Sequence, residues 1–133
     1  MAGPNTLHPI SGIGTAYRTA IAVADNAVRA TFETAEPTLI AISRMSELWL
    51  FGEFVGGSSA DSAILVPYWY NAAGTFQDIS LPITINATDR ENAAGNFMAG
   101  VTVEINPGAE RCRVAVRSIT TGGTLSLFVG VRE

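Results

Sequence analysis

The chain has no lysine, and its 133 residues include one histidine and one cysteine; all eight basic residues are arginine. Each scarcity closes a route to function. A lone Cys112 forms no internal disulfide, which agrees with a reducing compartment. One cysteine and one histidine also fall short of the usual four zinc ligands. A Ser-His-Asp or Cys-His arrangement would have to use His8, which stands beside Pro9 in a glycine- and proline-rich start, whereas such chemistry needs a rigidly held imidazole. No run of about 20 apolar residues is present, so no membrane-spanning helix is expected. The start MAGPNTLHPISGIG shows no basic segment followed by an apolar core, so synthesis in a cytoplasm without a secretory signal is expected.

Charge is scarce as well. Only 15% of residues are charged, against about 25% in ordinary globular chains. Either part of the exterior is covered by other subunits, or it is built from Ser, Thr, Asn, Gly and Ala. Arginine in place of lysine suits interface ion pairs, because its planar fork is weakly hydrated and grips carboxylates at two points; a GC-rich coding bias produces the same pattern. The net charge of −4 argues against a general nucleic-acid binder.

What is present is a series of short alternating runs separated by turn residues every eight to twelve positions or so, the pattern of a sandwich or barrel. Residues 1–14 contain Gly3, Pro4, Pro9, Gly12 and Gly14 and read as an extended N-terminal arm. Residues 15–133 read as one domain, since a chain of this length supports a core without staples. The expected strands are 15–23 and 27–33, joined by a tight turn at 24–26, then 38–43, 47–55, 63–70, 75–85, 97–105, 111–119 and 124–131. The first two are rich enough in alanine to leave a helix as the alternative. The segment NATDRENAAGN places Thr88 and Glu91 at capping-box spacing with Gly95 beyond, which predicts one or two helical turns. The fold class is therefore all-β: an antiparallel β-sandwich, of jelly-roll kind.

Candidate chemistry is sparse. The run RCRVAVRS alternates Cys112, Val114 and Val116 with Arg111, Arg113, Ala115 and Arg117, which predicts one apolar and one basic face. Arginines on such a face stand about 6 to 7 Å apart per two residues. If 106–110 closes a hairpin, Glu104 pairs with Arg113 across it. The basic row then either faces solvent or docks on an acidic partner surface. Cys112 is expected to pack as a small hydrophobe. Carboxylates are scattered singly, so no glycosidase pair is recommended by spacing. Asp89, Glu91, Asn92 and Asn96 offer oxygens to a calcium ion but lack the dense acidic pattern of a calcium loop, and a solvated loop or short helix is the expectation. Gly56–Ser59 lacks the lysine and the following helix of a phosphate loop.

The segment ILVPYWYNAAGTFQDI is the most unusual. Alternation sends Val66, Tyr68 and Tyr70 one way and Leu65, Pro67 and Trp69 the other, so both faces are bulky and apolar. Pro67 donates nothing to a ladder, which predicts a sheet-edge strand or one kinked by a bulge. Such a strand is covered on both sides or presents a binding patch. Three readings follow: a structural protein that self-associates and joins a larger assembly, a carbohydrate-binding sandwich stacking Tyr68, Trp69 or Tyr70 on sugar, and an enzyme using scattered carboxylates. The first accounts for the most features, so no enzyme and no cofactor is expected.

The arm MAGPNTLHPISGIG, a compact all-β body and the end RCRVAVRSITTGGTLSLFVGVRE together resemble small bacteriophage virion proteins, particularly capsid decoration or cement proteins, in size and organisation over the whole chain. The resemblance implies a homotrimer of β-sandwich protomers on the capsid surface, made in the host cytoplasm, bridging major capsid protein or other virion subunits and stabilising the head shell. Tail and head-fibre components share these features. No catalytic residue is implied. The contacts expected to serve a partner or a second copy are His8 in the arm, the strand residues Tyr68, Trp69 and Tyr70, and the row Arg111, Arg113 and Arg117.

Overall fold

The computed structural model describes residues 7–9, 18–21, 39–88 and 91–132. Its elements are β1 (Leu7–Pro9), β2 (Arg18–Ile21), β3 (Ile40–Ala41), β4 (Glu47–Val55), β5 (Ser62–Tyr70), β6 (Phe76–Ile79), β7 (Ile83–Asn86), β8 (Phe97–Glu104), β9 (Arg111–Thr120) and β10 (Thr124–Arg132). These strands form two five-stranded sheets, and every pairing is antiparallel. The first sheet runs β1-β10-β4-β8, with β2 also on β10; the second runs β3-β9-β5-β6, with β7 also on β5. The chain is an all-β sandwich, as its alternating runs predict. Six of the expected strands recur within a residue or two as β4, β5, β8, β9, β10 and the pair β6 and β7. The expected strand 27–33 lies outside the described residues, as does most of the expected arm, of which Leu7–Pro9 pairs with Gly130–Arg132.

Alternation decides which side chains meet between the sheets. In β4, Leu48, Leu50 and Phe54 point inward and Glu47, Trp49, Phe51 and Glu53 point outward. The inward rows of β10 (Leu125, Leu127, Val129 and Val131), β9 (Cys112, Val114 and Val116) and β5 (Ala63, Leu65 and Trp69) complete one core. Gly52 is a buried, inward position of β4. A Cβ there would stand 2.8 Å from Ile85 Cδ1 and 2.9 Å from Leu125 Cδ1, so a larger residue would require those side-chain ends to shift.

Four sequence expectations change. First, β8 and β9 lie in different sheets, so 106–110 is a crossing and not a hairpin. Glu104 therefore sits opposite Glu47 on β4, while Arg113 sits opposite Tyr68 on β5. Second, residues 120–123 (TTGG) read in the sequence as a turn joining the strands 111–119 and 124–131, but β9 and β10 also lie in different sheets, so this turn crosses the sandwich.

Third, β5 is not an edge strand. It pairs with β9 on one side and with β6 and β7 on the other. Pro67 is tolerated because its carbonyl accepts from Ser80 N at 2.9 Å, which turns its own nitrogen toward the gap between β6 and β7. Residues 80–82 leave the sheet there and Leu81 is 84% exposed, so no ladder donor is missed. The bulge lies in the neighbouring strand β9 and not in β5: Ile64 faces Ser118 and Leu65 faces Val116, leaving Arg117 of β9 as the extra residue.

Fourth, the predicted helix around Thr88–Gly95 is a tight turn over its described part. Asn92 N donates to Asn96 O, and Asn92 Oδ1 accepts from Ala94 N and Asn96 N. Gly95 takes φ +80°, the left-handed conformation such a turn needs. The asparagine side chain captures the amides that a helix would have used.

One end of the sandwich is tied by Asp61, only 6% exposed. Its carboxylate accepts from Ser58 N at 2.9 Å, from Ser58 Oγ at 3.2 Å and from Thr121 Oγ1, while its carbonyl accepts from Ala87 N at 2.8 Å. Three connections that each cross between the layers, β4 to β5, β7 to β8 and β9 to β10, thus meet on a single residue. Replacing Asp61 with Ala strands these donors and is expected to lower the unfolding free energy by about 2 to 3 kcal/mol. Thr121→Val is expected to cost about 1 kcal/mol. Urea melts measure both, and a loss below about 0.5 kcal/mol for Asp61→Ala would remove the clamp from the account.

Candidate functional site

The residues proposed from sequence separate onto different surfaces. Trp69 belongs to the main core and is 3% exposed. Its ring fills the space between the layers and offers no face to a sugar or a second chain, which corrects the expected contact role. Tyr68 and Tyr70 lie on the other side of β5, where they form a second apolar cluster with Val66 and Ala115, flanked by Leu39 and Phe76. Phe76 meets both tyrosines edge to face, at centroid distances of 5.9 and 5.8 Å. The tyrosines are only 3% and 4% exposed, so this cluster is also interior.

Arg111 and Arg113 share that outer face, opposite Tyr70 and Tyr68 respectively. The Arg113 guanidinium lies 5.7 Å from the Tyr70 ring centroid, within cation-π range. Arg117, displaced into the bulge, is exposed and does not continue a regular ladder. His8 falls opposite Val131 in the other sheet, away from these residues. The second sheet thus presents a short basic row over a tyrosine layer.

The outward face of the first sheet holds what sequence reasoning passed over. Trp49 and Phe51 on β4, Phe128 on β10 and Met98 on β8 are all half-buried and point away from the core. Phe51 stands opposite Phe128 on one side and Gly100 on the other. A Cβ at position 100 would sit 2.8 Å from Phe51 Cδ2, so the glycine lets the ring lie across β8. Arg132 stacks its guanidinium 4.9 Å from the Trp49 ring centroid. Trp49 Nε1 and Arg132 Nε are buried and have no hydrogen-bond partner among the described residues. Beside them lies an open groove of about 620 Å³ lined by Trp49, Phe51, Asn86, Met98, Gly100 and Thr102, among others. The signal in the sequence was the one read in β5: ELWLFGEFV also has bulky residues on both faces.

The two outer faces differ in charge. The first sheet's outward rows carry Glu47, Glu53 and Glu104 against Arg132, whereas the second's carry Arg111 and Arg113. Glu53 accepts from both Asn92 Nδ2 and Asn96 Nδ2, the latter at 2.9 Å. Those amides are therefore committed to a carboxylate and Asn92 Oδ1 to backbone amides. Asp89, the remaining member of the calcium candidate with Glu91, lies outside the described residues. No group of three or more metal-ligating side chains occurs among the described residues.

Cys112 is fully buried, and burial pushes its thiol up to about 12 because the thiolate would lose its water. It is a core hydrophobe. No family model matches the chain, and no curated protein or solved structure matches it.

Two measurements follow from this placement. Trp69→Ala is expected to cost about 3 to 5 kcal/mol through the cavity it leaves, while Trp49→Ala costs less than half of that, as compared by denaturant melts. Cys112 favours the neutral form in the fold, so its contribution is intact below the unfolded pKa of 9.0 and is lost as pH rises toward about 12. Stability should fall above pH 9 by up to about 1.4 kcal/mol per pH unit more in the parent than in Cys112→Ala. Parallel pH profiles of the two would expose an error.

Proposed function

We propose that this chain is a non-enzymatic virion structural protein, a decoration or cement subunit that self-associates and binds the head shell of a bacteriophage. The observation that carries this reading is the aromatic outer face of the first sheet, Trp49, Phe51, Phe128 and Met98, held on a stiff sheet with a second apolar core behind the other layer. Half-buried aromatics backed by a rigid scaffold are the usual anchors of protein interfaces. The strand order supports a jelly roll, an architecture used by viral capsid proteins and by lectins: consecutive long strands alternate between layers and the last two lie at the centre of their sheets. Attachment is then adhesive. Symmetric repetition multiplies modest contacts into tight binding, with the exposed Arg111 placed to meet an acidic neighbour.

A carbohydrate-binding module is the second reading, and the groove beside Trp49 favours it, since Asn86 and Thr102 place polar groups next to an indole. The two are separated by one pair of assays on Trp49→Ser/Phe51→Ser. Co-sedimentation with assembled heads of a virus encoding the chain should fall tenfold or more while the fold persists. Binding of the unaltered protein to a glycan array, with no retention on heads, would reverse the assignment.

A further inference from the structure

Sheet edges expose unpaired amides and carbonyls that invite another strand, and proteins keep them short, broken or charged. Three edges here follow that rule. β3 has two residues, β6 and β7 have four each, and β1 and β2 have three and four. The remaining edge, β8, has eight residues, contains neither proline nor lysine, and pairs with β4 without a register shift from Phe97 to Glu104. Among the described residues its outer side is paired only by the isolated bridge between Glu91 and Phe97.

Two hydrogen bonds fix which groups face outward. Ile105 N donates to Ser46 O at 3.0 Å, on the β4 side, while Asn96 O accepts from Asn92 N at 2.9 Å, on the outer side. Because backbone groups alternate along a strand, odd positions serve β4 and even positions face out. Beyond the bridge, these are Gly100, Thr102 and Glu104.

We propose that β8 pairs with the β8 of a second copy of this chain, antiparallel about a twofold axis at Thr102, so that the first sheets of two molecules become continuous. In that register Thr102 faces Thr102, a favourable cross-strand pair. Gly100 faces Glu104, and Val101 faces Val103 on the core side. All three outward backbone positions find partners. Glu104 is the strand's only charge, and the two copies of it stand about 13 Å apart along the ladder, beyond the screening length of about 8 Å. A parallel copy would set Glu104 beside Glu104, and a slip by one residue would turn the inward apolar row to water. The twofold contact closes on itself and uses up the edge, which yields a dimer or an even multiple of it, where the resemblance to decoration proteins implies a trimer. The pairing belongs to the isolated chain and stands whether or not the shell-binding reading holds.

The test uses the purified full chain. The expected solution mass is twice the 14.0 kDa of the chain, and Thr102→Pro, which removes an outward amide and no bond to β4, halves it without unfolding the protein. In a Cys112→Ala background, Thr102→Cys should link two copies under mild oxidation, because directly opposed hydrogen-bonded residues have Cα atoms about 5.5 Å apart. Glu104→Cys should not link. A monomeric or trimeric mass, or equal linking by the two cysteines, overturns the proposal.

Discussion

The structure depends on burying four inward rows, those of β4 and β10 against those of β5 and β9. These are the longest strands among the described residues, nine or ten residues each, and lie side by side at the centre of each layer. Burial at about 25 cal/mol per Å² of apolar surface makes this the largest favourable contribution. Other features follow from it. Gly52 leaves room for the inward ends of Ile85 and Leu125. Cys112 keeps its proton because it lies within the buried row. Trp69 is committed to the core because its place in the alternation of β5 points it there. The crossings at 106–110 and 121–123 carry the chain from one layer to the other, and Asp61 secures one of the ends where such crossings gather.

Once the inward rows are spent on the core, anything the protein does by contact falls to the outward rows and the edges. The two outer faces are dissimilar: one carries an aromatic row with an acidic rim, the other a pair of arginines above a buried tyrosine layer. This asymmetry gives the molecule a front and a back, which suits a subunit placed between unlike neighbours. Two carboxylates are occupied in holding loops. Glu53 takes two asparagine amides, and Asp61 takes two hydroxyls and an amide.

Much of the sandwich was legible in the sequence, because strand periodicity is local. The runs 47–55, 63–70, 97–105, 111–119 and 124–131 announce their bounds through turn residues and their inward faces through alternation, and neither signal needs a partner to be read. The alternation of RCRVAVRS placed Cys112, Val114 and Val116 in the core correctly. The helix expected near Thr88 and Glu91 failed for a local reason too: Asn92 competes for the amides that a capping box would satisfy.

The tertiary structure alone decided which strands are neighbours. Residues 104 and 113 look like hairpin partners along the chain, yet a five-residue connection spans the gap between layers as easily as it folds back, so Glu104 meets Glu47 and Arg113 meets Tyr68. The same limit governed the candidate site. Alternation showed that β4 and β5 each carry bulk on both faces, but only the stacking of sheets determined that the outer side of β5 became a second core while that of β4 stayed half open. A period of two assigns each residue to a side of its own strand; which side meets water depends on the other layer, and that information lies in contacts distant in sequence.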